Sequence, residues 1–265
     1  MTALTASDVT MTKVAAGGVY SALRQSILDG QITPGTRINI DAVSKRLGVS
    51  PTPVREALQR LEGDNLLVYY PSRGYSTTPL LSFGELRSLF EFRLLVEPWA
   101  ARAAAVERLS NPSGALRVEL AALERRVHET ANLRQDLVAH DARFHDLVLA
   151  SAGNQVVQQA YVQTHCHLHM FRLYPADLDG RITLMEHQGI CEAIAARDPA
   201  AAEDAMSEHI RSSFYRFARA FDEEPTGLAD AKPVRMTPGR ERAADPKRLW
   251  RIGSDERQPD ALTAP

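Results

Sequence analysis

From Ser82 to about Phe221 the chain repeats its apolar residues at helical spacing, and no segment alternates as a half-buried strand would. A region of about 140 residues with that pattern can bury its apolar stripes only against other helices. Breaks at "SNPSG" (110–114), "SAGN" (151–154), "YPADLDG" (174–180) and "RDP" (197–199) divide it into roughly six helices. Pro98 lies inside the first of them, where a missing amide and the ring clash predict a kink or a break.

The region before it reads differently. Residues 1–13 are polar and unpatterned, a flexible arm, and residues 14–79 read helix, helix, helix, hairpin. The first helix is expected near Val19–Asp29 with Leu23, Ile27 and Leu28 as its stripe and Gly30 as its stop. The second runs near Asp41–Leu47 and ends at Gly48. In "LGVSPTPVREALQRLEGDNLL" Ser50 is placed as an N-cap, with Pro51 and Pro53 as the first and third helical residues. Amides there have no intrahelical partner, so the prolines cost little and preset φ. Val54, Ala57, Leu58 and Leu61 form the buried face, and Thr52, Arg55, Glu56 and Gln59 the opposite one. "LLVYY" and "GYSTTP", separated by Pro71-Ser72-Arg73-Gly74, read as a β-ribbon. The fold class expected is therefore mainly α: an N-terminal winged helix-turn-helix (14–79) and a C-terminal all-α bundle (82–221). Residues 222–265 hold 6 of the chain's 15 prolines, many charges and few apolar residues, and are expected to be a disordered tail.

A net charge of -2 leaves any nucleic-acid surface local. No apolar run approaches the 18 or so residues a membrane span needs, and the start lacks the pattern of a secretory signal. Two cysteines without CxxC spacing, Cys166 and Cys191, read as packed residues of a reduced, cytoplasmic protein. A short helix, a tight turn and a proline-started helix make a helix-turn-helix, whose second helix enters the major groove. Lys45, Arg46, Arg55 and Arg73 flank that face, Arg73 at the wing tip, while the segment 14–78 carries a net charge of only +2. Taken singly, Arg55 and Arg60 would be read as solvating a surface helix; pattern, turn, wing and basic placement together favour DNA.

"DGQITPGT", the "LGVS" turn and "TPVREAL.RLE" resemble the winged helix of GntR-family bacterial transcription regulators over about Val19 to Pro79. The resemblance implies a homodimer on a short palindromic operator, with Ser50, Thr52, Arg55, Gln59, Lys45, Arg46 and Arg73 as the DNA-facing residues. Pro51 stands where family members usually carry arginine, and Asp41 also departs from the usual pattern, which implies a different operator sequence.

In the second half, "DARFHDLVLASAGN" puts Asp141 and His145 at i, i+4 on one helix face. Alone, such a pair is most often structural. His187 and His209 lie near the apolar stripes of two further helices, and one carboxylate with three imidazoles suits zinc, nickel or manganese. "RLLVEPWAARAAA", "D...FH......GN", "EH" (186–187) and His209 are similar to the C-terminal ligand-binding (FCD) domain of the FadR-like branch. In its metal-binding members Asp-x3-His and two later histidines hold the ion, so the resemblance implies a divalent metal, zinc first, on Asp141, His145, His187 and His209. Arg93 and Glu97 can be a surface ion pair; the resemblance implies instead that Arg93 faces the cavity and meets the carboxylate of a small organic acid. In "THCHLHM", His165 and His169 share a face and are placed as pocket-lining residues, with His167 pointing elsewhere. Asn154 is expected to cap a helix. A regulator rather than an enzyme is the function expected; a metal-dependent hydrolase and a DNA-binding protein with a purely structural ion are the alternatives.

Overall fold

The computed structural model describes residues 6–107, 111–129, 133–173 and 180–221. The first helix, α1, runs Ala6–Leu28, so residues 6–13, expected to be part of a flexible arm, are helical backbone. Gly30 then takes φ 73°, a conformation open to glycine, and turns the chain. Helix α2 (Ile40–Leu47) starts where the Asn39 side chain accepts a hydrogen bond from the Ala42 amide, and stops at Gly48. Helix α3 (Pro51–Gly63) begins after Ser50 as expected, but the Ser50 hydroxyl makes no capping bond. Pro53, at the third position, removes one of the two amides such a cap can bond.

Val54, Ala57, Leu58 and Leu61 are fully buried and join Leu23, Ile27 and Leu66 in a small core. Strands β1 (Leu67–Tyr70) and β2 (Gly74–Thr77) pair antiparallel, Leu67 opposite Thr77 and Tyr70 opposite Gly74. A single bridge from Arg37 to Ser76 ties this wing to the segment before α2.

Helix α4 (Phe83–Val106) opens on a reciprocal capping box between Ser82 and Glu85. It runs unbroken through Pro98, where a kink or break was expected. Phe90 and Leu94 before the proline and Ala100, Ala101 and Ala104 after it are buried, and packing of α4 on α10 holds both halves in line. The others are α5 (Ser113–Glu129), α6 (Arg134–Ser151), α7 (Gln155–Gln163), α8 (Cys166–Leu173), α9 (Arg181–Ala195) and α10 (Pro199–Ala218). That makes seven helices in this region among the described residues, one more than expected. The additional breaks fall between Glu129 and Arg134 and at Thr164–His165, where His165 has φ 45°. Asn154 caps α7, accepting from the amides of Val156 and Val157. Cys166 and Cys191 are buried free thiols. No described helix is long and apolar enough to cross a membrane. The tail 222–265 lies outside the described residues.

Candidate metal centre and DNA-facing surface

Helix α6 carries Asp141 and His145 one turn apart, α9 carries His187 and α10 carries His209, and all four are buried. One donor atom from each lies within 4.8 Å of the others. His187 Nε2 is 3.3 Å from His209 Nε2 and 3.5 Å from Asp141 Oδ1, and His145 Nε2 is 3.7 Å from Asp141 Oδ1. Ligands about 2.1 Å from an ion stand about 3.0 Å apart at octahedral angles and about 3.4 Å apart at tetrahedral ones, close to these spacings.

The outward nitrogens decide whether the set fits a cation. His187 Nδ1 pairs with His140 Nε2 at 2.9 Å, and His140 Nδ1 with Glu119 at 3.1 Å. His209 Nδ1 stands 2.8 Å from Glu186, which is itself clasped by both terminal nitrogens of Arg216 at 2.7 Å. His145 Nδ1 abuts the Glu97 carboxylate. Asp141 Oδ2 takes His167 Nδ1 at 2.6 Å, leaving Oδ1 turned inward. With the outer atoms of His187, His209 and Asp141 hydrogen-bonded and His145 Nδ1 against a carboxylate without a hydrogen bond, three imidazoles and one carboxylate oxygen converge, the kind of arrangement that orients ligands at metal sites. Burial, followed by the charges of neighbouring histidines, lowers the pKa of His187 well below its usual value; burial also lowers that of His209. Both are thereby kept in the neutral form a metal requires. His145 is burdened by burial too, but Glu97 and Asp141 outweigh it and raise its pKa, so those carboxylates favour a positive charge at this spot. The residues present fit a borderline divalent ion.

Arg93 is fully buried, not part of a surface pair. Its Nε donates to Glu97 Oε1 at 2.5 Å, and Nη2 lies 3.4 Å from His145 Nε2. Glu97 therefore balances its charge in place, beside the cluster. His165 and His169 are not brought to the cluster. His165 borders a separate cavity of about 210 Å³ with Tyr20, Arg24 and Val162. His169 is half-buried, and burial brings its pKa down to about 4. The histidine that does reach in is His167, which bonds Asp141 and stands 3.1 Å from the Tyr161 hydroxyl; that hydroxyl donates to Glu97 at 2.8 Å. The break at His165 starts a new helix and resets which face points inward. A readable signal existed: His167, Met170 and Phe171, at i, i+3, i+4, are the buried stripe of α8. His140, with Phe144 one turn on, carried a similar one.

At the other end, Lys45, Arg46, Ser50, Thr52, Arg55, Gln59 and Arg73 are all exposed. Arg55 and Gln59 of α3, Arg73 of the wing and Arg37 line one concave surface, with Asp41 at its edge. Arg60 instead lies over the Tyr20 ring, 4.1 Å from its centre. Residues 15–76 match the bacterial regulatory proteins of the gntR family, and residues 88–212 match the FCD domain. The chain belongs to the GntR family. Its FCD domain is the helical bundle, and the matched gntR segment is the winged helix-turn-helix.

Among relatives of this GntR chain, the uncharacterized HTH-type transcriptional regulator YdhC of Bacillus subtilis is 25% identical over 72% of this chain and 85% of its own length. The HTH-type transcriptional repressor RspR of Escherichia coli is 37% identical, but over 33% of this chain and 38% of its own. The solved structure of E. coli McbR/YncC shares the fold, with a TM-score of 0.61 at 18% identity over 78% of this chain and 99% of that one. As a GntR-family member with an FCD domain, the chain is a DNA-binding transcription regulator.

Proposed function

We propose that this regulator is a cytoplasmic dimeric repressor of a palindromic operator, without catalytic activity, whose FCD domain binds one divalent cation and a small organic acid. Asp141, His145, His187 and His209 would hold the cation, zinc first and nickel or manganese next. The observation that carries this reading is the set of four convergent donors, three of which are held by hydrogen bonds at their outer atoms. When bound, the ion supplies a positive centre that attracts carboxylate oxygens. Arg93 lies beside it and orients an anionic effector, sharing its charge between Glu97 and the ligand. The deciding experiment combines elemental analysis of protein purified without chelators with operator titrations across a panel of small carboxylates. Metal at one ion per chain and an acid that shifts DNA affinity while remaining intact support the reading. Turnover of the acid would point to an enzyme instead.

The exposed face of α3 supports base readout by Arg55 and Thr52. Arg55→Ala is expected to weaken a selected operator by about 1–3 kcal/mol and to relax one base position. Arg73→Ala should weaken all duplexes alike and flatten the salt dependence, as loss of a phosphate contact does. Gel shifts over a library of single-base operator variants separate the two patterns. A net charge of only +2 on one winged helix favours two copies per site. Light scattering is expected to show a dimer both free and on DNA.

A further inference from the structure

Helix α8 is eight residues long and touches three things at once. His167, in its first turn, holds Asp141 Oδ2 at 2.6 Å, so it is a positioning residue for a candidate ligand. Leu168 packs against the core of the FCD domain and also against the core of the winged helix. Arg172, in its last turn, donates through Nη1 to Thr78 Oγ1 and through Nη2 to Thr78 O, both at 2.7 Å. Thr78 follows the wing. Its hydroxyl bonds Asn65 O at 2.9 Å and its amide bonds Leu66 O at 3.0 Å, two residues just after α3. An unbroken series of contacts thus runs from Asp141 through one short helix to the end of the DNA-facing helix.

We propose that α8 couples the metal site to the DNA-binding domain, with His167 as its sensing end and Arg172 as its output. This rests on the metal-site reading above. The rival route is α6, which carries Asp141 and His145 and whose Arg134 donates to Leu28 O at the end of α1. But α6 is 18 residues long and pinned by Leu137, Val138, Phe144, Val148 and Leu149, all buried, so moving it repacks more of the core than moving the eight-residue α8, which buries Cys166, Met170 and Phe171. Helix α8 instead hangs on a joint at His165, whose φ of 45° is one that only a few per cent of non-glycine residues adopt. A short element hinged there can pivot when Asp141 is drawn toward a cation, and Arg172 carries the pivot to Thr78. Coupling of this kind works in both directions: what the ion does to DNA affinity, DNA does to ion affinity.

The test measures nickel affinity of the full chain, free and saturated with a duplex selected by the parent from a random pool. The parent should show roughly a 5- to 150-fold difference between the two states. In Arg172→Met the nickel affinity off DNA should stay within about twofold of the parent, while the difference between the two states disappears. Arg172→Lys should restore part of it, and Thr78→Ala, which keeps Arg172 in place, should retain an intermediate value. If Arg172→Met and Thr78→Ala keep the parent's full difference, or if Arg134→Met is the change that abolishes it, the assignment to α8 is overturned. A parent that binds nickel with equal affinity on and off DNA also overturns it, while leaving the metal site standing. A parent that binds no metal overturns the metal site itself, and the coupling with it.

Discussion

Replacing Glu97 by alanine is expected to destabilise the helical domain by about 3–5 kcal/mol, among the largest effects of any single side chain. Arg93 and Glu97 are one turn apart on α4 and show almost no surface to solvent. The guanidinium cannot lose its proton, and its other near neighbours are Met170 Sδ at 3.4 Å and His145. Without Glu97 a full positive charge stays buried, the Tyr161 hydroxyl keeps only His167, and His145 Nδ1 loses the carboxylate beside it. Replacing both residues, Arg93→Met with Glu97→Ala, removes the uncompensated charge and should recover much of the loss. Urea unfolding of metal-free protein measures both variants; equal losses would show that packing volume, not charge, dominates. Burial works to raise the Glu97 pKa, but Arg93, followed by His145, overrides it and holds the value below the ordinary carboxyl range. Its contribution is therefore complete above the unfolded value of about 4.3 and fades as the pH falls through the lower folded value.

Much of the architecture was legible because it rests on local rules. Helical spacing without alternation gave the bundle, and prolines where no amide bond is lost gave the start of α3. Asp141 and His145 could be singled out by their i, i+4 spacing, and His187 and His209 joined them through the resemblance to metal-binding FCD domains; the fold does bring the four together. What could not be read depends on contacts between distant segments. Pro98 was expected to disturb α4, and packing on both sides keeps that helix whole. Spacing along one continuous helix puts His165 and His169 on the pocket face and His167 elsewhere, whereas a left-handed residue at 165 divides that helix. The partner of each outer nitrogen lies on a different helix from the histidine it meets: Glu97 of α4, His140 of α6 and Glu186 of α9. Spacing within one segment can mark His140 as inward-facing, but it does not pair any of them with its histidine.

The second large effect is expected at the cluster itself. Three helices, α6, α9 and α10, each contribute at least one of its four donors, so an ion held there would tie them to one another. A cation that binds the folded chain and not the unfolded one stabilises it by RT ln(1 + [L]/Kd), about 2.7 kcal/mol at a hundredfold excess over Kd. Adding zinc or nickel to chelator-stripped parent should therefore raise the melting temperature clearly. His187→Ala and His209→Ala should abolish that rise. Each loses a donor and releases a fixed neighbour, His140 in one case and Glu186 in the other. His140→Phe is the informative intermediate: the four donors remain, but the residue orienting His187 is gone, and affinity should fall about 10- to 100-fold. DNA binding should survive in all three, because the candidate DNA-facing residues sit on elements packed around a different small core, that of Leu58 and Leu61. Elemental analysis, melting curves with and without ion, and operator titrations together decide the matter. If His187→Ala still gains full stability from the ion, these four side chains are not its ligands, and the cluster is a buried hydrogen-bond network alone.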